Sequence, residues 1–164
     1  FISMIKGIFP LFVLALIVMG AVKSRAQSAE NPDDPIAIWE ADRAHVFSAA
    51  EVDLDALVWV ARPLVIFADS PNDPQFHRQM ELLAQWPEDL AERDVMIIVD
   101  TDTATRSAIR DRLRPRAFMM VLIDKDGRVA LRKPAPWDVR EISRSIDKTT
   151  LRQQEVRERR EAGQ

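Results

Sequence analysis

The sequence predicts an α/β domain: a three-layer α/β/α sandwich on a mixed sheet, with a C-terminal β-hairpin and a closing helix. Three observations lead there. Residues 64–68, 95–99 and 118–123 are continuous apolar runs of strand length, the pattern of strands covered on both faces. The segments between them place apolar residues at helical spacing, giving the strand–helix alternation of a layered α/β fold. After the third run, Asp124-Lys125-Asp126-Gly127 is a tight-turn signal with Gly127 supplying positive φ, and residues 128–133 then alternate as an antiparallel edge strand should.

In chain order, the first segment reads as a targeting signal. The chain begins with Phe1, and Met4 is the expected start. Lys6 precedes an apolar stretch at residues 7–22, and Ser24-Arg25-Ala26 places small residues before Gln27. These are the parts of a secretory signal peptide over residues 1–26, with an uncleaved membrane anchor as the rival reading. Residues 27–45 hold Pro32, Pro35 and several acids and read as an irregular lead-in, with Ile36, Ile38 and Trp39 available to dock on the domain. The domain itself is expected over residues 46–149, followed by a charged tail or helix at residues 150–164.

Ser48-Ala49-Ala50-Glu51 has capping-box spacing and predicts a short helix with Leu54, Leu57 and Val58 on its apolar face. The strand at 64–68 then meets Asp69-Ser70-Pro71-Asn72-Asp73-Pro74. Two prolines in four residues exclude a continuing strand, and Ser70 or Asp73 can cap the helix carrying Phe76, Met80, Leu83 and Trp86. Pro87 marks the exit. Beyond the strand at 95–99, the run from Asp100 to Thr103 caps a helix expected to turn Ala104, Ala108, Ile109 and Leu113 inward, with Arg106, Arg110 and Arg112 outward. Arg114-Pro115-Arg116 ends it. Trp137, Ile142 and Ile146 line the closing helix.

Composition excludes several classes of chemistry. The chain has no cysteine, which removes disulfides, thiol catalysis and thiolate metal sites. Of its 4 glycines only Gly127 and Gly163 lie beyond residue 26, so no phosphate-cradling loop or nucleophile elbow can be written. Removal of residues 1–26 takes Lys6, Lys23 and Arg25 from a chain of 23 bases and 26 acids, leaving a net charge of −6. That balance argues against a nucleic-acid partner. No stable membrane span is expected after signal cleavage.

A resemblance enters at IFADSPNDP. It lies against the strand and redox turn of thioredoxins, with Pro71-Asn72-Asp73-Pro74 in place of the Cys-x-x-Cys. VLIDKDGRVALR is similar to the hairpin of thioredoxins and peroxiredoxins. The proline thioredoxins carry before that hairpin would fall near Met119, and Pro115 is out of register with it. A closer resemblance is to the exported domain-of-unknown-function 4174 family, also called P-DUDES, shared by bacterial secreted proteins and equarin-type animal matrix proteins. It rests on W-x-x-R-P-L-V-I-F-A at residues 59–68, R-D-V at 93–95, V-L-I-D-K-D-G at 121–127, and a tail of I-D followed by L-R-Q-Q-E at 151–155. The family's usual Met-Pro-Met-Arg is replaced here by Lys148-Thr149-Thr150-Leu151-Arg152. The resemblance implies a thioredoxin-like fold without redox cysteines and brings no established activity.

The functional expectation is therefore a periplasmic or extracellular binding or assembly module, with an envelope or extracellular protein as partner and no cofactor. The alternative is an enzyme built on the strand–helix turn. There Asp73 and His77, one turn apart, are the catalytic candidates, a carboxylate orienting an imidazole. Ser70, Asn72 and Arg152 are the candidate ligand or partner contacts. His45 and His77, far apart in sequence, do not form a metal motif with Asp69, Asp100 or Asp102, so no metal is expected. The run Arg106, Arg110, Arg112, Arg114 and Arg116 reads as a solvated helix face with an anionic partner as the rival. The four tryptophans read as core or rim packing.

Overall fold

A computed structural model describes residues 33–163, all within the second of the two units into which the chain divides, Pro32–Gln164. The expected signal peptide lies outside the described residues. Five strands form one sheet in the order β1 (Val46–Ser48), β3 (Val95–Asp100), β2 (Arg62–Phe67), β4 (Met119–Ile123), β5 (Val129–Lys133). β1, β3 and β2 run parallel, while β4 is antiparallel to β2 and β5 antiparallel to β4. This is the expected thioredoxin-like mixed sheet, with β2 at its centre.

The apolar runs explain the layers. Side chains alternate along a strand, so a run apolar at every position needs cover on both faces. Val65, Phe67, Met96, Ile98 and Val121 pack one face with Trp39, Phe47 and, from α4 (Ala108–Leu113), Ile109 and Leu113. Leu64, Ile66, Val95, Ile97 and Met120 pack the other with Leu83 of α2 (Pro74–Leu83), Leu90 of α3 (Pro87–Ala91), and Ile142 and Ile146 of α5 (Val139–Asp147). Every residue of β2 is buried.

Three local expectations need correction. Within the lead-in, Pro35–Ala41 forms α1, capped by the Asp34 side chain with Pro35 in its first turn; its Trp39 is buried and donates from Nε1 to the Val95 carbonyl at 3.3 Å. The Ser48/Glu51 pair closes a turn rather than starting a helix: Glu51 Oε2 accepts from Ser48 N at 2.6 Å. The chain then reaches only a single 3₁₀ turn, Asp55–Leu57, while Val46–Ser48 adds an edge strand. Asp102 accepts from Ala104 N at 2.8 Å and so caps a turn, which leaves Ala104 exposed and delays α4 until Ser107 caps it. The tail is α6 (Thr150–Ala162), docked through Arg152.

Candidate functional site

Central strand β2 delivers the chain to the turn at residues 69–73, where its backbone reverses into α2. Each polar side chain expected to act there is already holding the turn. Ser70 Oγ accepts from Asn72 N at 3.1 Å. Asp73 is the N-cap of α2, its Oδ1 accepting from Gln75 N at 2.8 Å, with Pro74 at the first helical position. As a cap, Asp73 folds its side chain back over the helix start instead of along the helix face. Among the described residues it therefore makes no hydrogen bond to the imidazole of His77, which is exposed and touches the ring edge of Phe76 at 6.0 Å between centroids. The expected carboxylate–imidazole pair does not form. The side chain of Asn72 is exposed.

Beside this turn, at the carboxyl ends of β2 and β3, sits a rigid polar bolt. Arg110 donates from Nε to Asp100 Oδ1 at 3.1 Å, and from Nη2 to the same oxygen at 2.8 Å and to the Ala68 carbonyl at 2.9 Å. Ser107 Oγ donates to the other Asp100 oxygen at 2.5 Å. Asp100 is 6 % exposed, and a guanidinium and a hydroxyl supply the hydrogen bonds that its buried oxygens need. Outside the bolt an open cleft of about 570 Å³ is lined by Thr103, Arg106, Arg110, Asp111, Arg114 and Pro115. Arg106 and Arg114 stand on either side of α4 with left-handed backbones, φ 45° and 48°. In the turn before α4 the Asp102 carboxyl is held below the usual range by hydrogen bonds from the Thr105 hydroxyl and the Ala104 amide.

The opposite end of β2 carries a second ionic assembly. Arg62, with a side chain 1 % exposed, donates to Asp124 Oδ1 at 2.8 Å, to the Arg93 carbonyl at 2.9 Å and to Glu155 Oε1 at 2.9 Å. Lys125 joins Asp94 at 2.7 Å and Glu155 at 3.4 Å, and Arg93 takes Asp147 with two parallel bonds of 3.0 and 2.9 Å. Burial pushes the Asp94 and Glu155 carboxyls up, but bonds from Lys125 and Arg62 respectively, with the neighbouring cations, outweigh it and hold both below their ordinary values. The hydrogen bond from Arg93 to Asp147 raises the guanidinium against its burial.

Arg152, expected as a partner contact, belongs to this assembly. It is 3 % exposed and lies among Glu92, Glu155 and Asp147 at 3.3, 3.3 and 3.7 Å. Its side chain turns inward because three carboxylates converge where α6 meets α3 and α5. The tryptophans also divide: Trp39 is core, whereas Trp59 is 66 % and Trp86 58 % exposed. Trp59 adopts φ 65° and donates its backbone N–H to the Lys125 carbonyl in the hairpin turn at 2.7 Å. No sequence pattern marks a bulky residue in that conformation. Among the described residues no group of acids and histidines is arranged to hold a metal, and no helix is long and apolar enough to cross a membrane.

The family described as "Domain of unknown function (DUF4174)" matches residues 53–155. No curated protein sequence matches the chain. Among solved structures, the reduced 2-Cys peroxiredoxin of Plasmodium vivax is 18% identical, with a TM-score of 0.49 over 58% of this chain and 81% of its own. Chloroplastic thioredoxin z is 19% identical, with a TM-score of 0.49 over 63% of this chain and 96% of its own. A cysteine-to-serine mutant thioredoxin of Entamoeba histolytica is 20% identical, with a TM-score of 0.41 over 64% of this chain and 100% of its own.

Proposed function

The chain belongs to the DUF4174 family, and we propose that it serves as a binding or assembly module in the periplasm or outside the cell, without redox chemistry. The apolar stretch after Lys6 and the small residues before Gln27 support the compartment, and the shared motifs support kinship with equarin-type matrix proteins. A chain without cysteine has no sulfur nucleophile for thiol–disulfide exchange.

The observation that carries the binding reading is Trp59. A left-handed backbone at a bulky residue costs about 1–3 kcal/mol. Leaving an indole 66 % exposed also forgoes its burial. A position that bears both costs is suited to being covered by something else. Val129, 42 % exposed, follows the same hairpin turn and adds apolar surface. The partner is a protein of the envelope or matrix that buries this indole.

Crosslinking capture from envelope extract tests the reading with three full-chain baits: wild type, Trp59→Gly, and Asp73→Ala with His77→Ala. Glycine keeps the left-handed backbone, so Trp59→Gly melts no lower than wild type. The expected result is one partner shared by wild type and the double variant and lost with Trp59→Gly. Equal capture by Trp59→Gly, or no partner at all, refutes it. One observation favours the enzyme alternative, the exposed imidazole of His77, which has no hydrogen bond among the described residues. A small molecule that raises the melting temperature of wild type but not of the Asp73/His77 variant would move the assignment there.

A further inference from the structure

We infer that the cleft beside α4 is a binding site for a phosphate group, free or carried by a lipid headgroup. The inference is independent of Trp59, which sits toward the other end of β2. It starts from the floor of the cleft. Arg110 is held by Asp100 and by the carbonyls of Ala68 and Asp100 through Nε and Nη2. No described residue bonds its Nη1. A guanidinium fixed in this way offers its remaining N–H donors without further loss of side-chain freedom, and its planar fork suits a phosphate or carboxylate.

The walls supply the charge. The guanidinium of Arg114 has no acid partner among the described residues. Among the described residues Arg106 is tied only to Asp111, at 3.3 Å, in a pair whose side chains are 77 % and 57 % exposed. Such an exposed pair is weak and gives way to a better ligand. Asp100 balances Arg110 and Asp111 balances Arg106, which leaves Arg114 as the net positive charge of the lining. Three guanidinium groups around one open space carry more N–H donors than the two oxygens of a carboxylate can accept, and the several oxygens of a phosphate group match them better. Thr103 adds a hydroxyl to the lining.

Two further observations agree. The cleft lies outside the carboxyl ends of parallel strands β2 and β3, the region where α/β sheets place ligands. Arg106 and Arg114 both stand in left-handed backbone, and the φ of 48° at Arg114 is a helix C-cap where glycine is the stable choice. An arginine kept where glycine is favoured is explained if its guanidinium is used.

The test is titration of the full chain with inorganic phosphate at fixed ionic strength, against chloride as the control, read by calorimetry and melting temperature. Wild type is expected to bind phosphate and melt higher with it. Arg114→Gly should melt no lower than wild type without ligand, yet bind phosphate about tenfold more weakly, the size of one charge-assisted hydrogen bond. Asp111→Asn, which frees Arg106, should bind more tightly. Phosphate that acts no differently from chloride, or equal phosphate affinity in wild type and Arg114→Gly, overturns the inference. Co-sedimentation with vesicles separates the sources. Binding to phosphatidic acid and not to phosphatidylcholine, competed by free phosphate, assigns the headgroup; phosphate binding without vesicle binding assigns a small soluble phosphate.

Discussion

Replacing Arg62 with methionine should cost this domain about 3 kcal/mol. The side chain is 1 % exposed and reaches two carboxylates that are themselves 13 % and 16 % exposed, Asp124 and Glu155. Methionine fills much of the volume, so the loss is chiefly electrostatic: two nearly buried anions lose their shared cation. Breaking such an assembly from one side typically costs about 3–5 kcal/mol. The lower figure applies here because neither anion is left alone. Glu155 keeps Lys125 at 3.4 Å and Arg152 at 3.3 Å, and Asp124 keeps the Lys125 backbone N–H at 2.9 Å. Domains of this size are stable by about 5–15 kcal/mol, so a fifth or more of the total is at stake.

Urea unfolding followed by tryptophan fluorescence measures this directly. With a slope near 1.5 kcal/mol/M, the midpoint should fall by about 2 M. Adding Asp124→Asn to Arg62→Met removes the carboxylate left without a cation and should recover a third or more of the loss, because the penalty belongs to the unpaired anion rather than to the missing contact. A loss below about 1 kcal/mol for Arg62→Met, or a double variant less stable than the single one, would refute the reasoning.

Two further outcomes follow from the same geometry. Asp94 and Glu155 have folded pKa values below their ordinary 3.8 and 4.5, so their stabilisation is complete above those values and is lost as pH falls through the depressed ones. The urea midpoint should therefore stay level from about pH 7 to 5 and drop below about pH 4, and Asp94→Asn with Glu155→Gln should be less stable at neutral pH but flatter across the acid range. Gly127→Ala meets open enough space, its Cβ 3.4 Å from Val58 Cγ2, but φ of +82° strains any L side chain; the expected loss is about 1 kcal/mol of stability in the same assay.

What the sequence made legible was whatever is repeated over five residues or more. The strands at 64–68, 95–99 and 118–123, the turn at Gly127 and the helix with Ile142 and Ile146 all carry a long pattern or a residue with one conformational use. Strand β1 has three residues, too few for a period. Prolines hid two helices. Pro35 and Pro87 read as breaks, yet each occupies the first turn of a helix, as Pro74 does, because the amide that proline lacks has no partner there anyway. Asp34-Pro35 repeats the cap spelling of Asp73-Pro74 and was the available signal. The Asp73–His77 pairing failed on a detail of the same kind: a capping side chain does not share the helix face of the residue four positions on. Trp59 had no signal, since only the hairpin turn packed against it imposes its backbone.

The charged residues of the shared motifs explain what those motifs encode. Arg62 belongs to the first, Arg93 and Asp94 to the second, Asp124 and Lys125 to the third, and Asp147, Arg152 and Glu155 to the tail. Scattered over nearly a hundred residues, they meet in one ionic assembly at the amino end of β2. Apolar replacements would bury as much surface without the desolvation penalty, so the assembly is not there for raw stability. Its geometric effect is to fix where α6 and the β4–β5 turn sit against the sheet. A helix as polar as α6, whose buried member is Arg152, has little hydrophobic surface to set its own register. The motifs therefore specify a frame. The turn at residues 69–73 and the arginines around α4 lie at the other end of the sheet, outside those motifs. A surface that the frame does not use is where members of one fold can come to differ in what they bind.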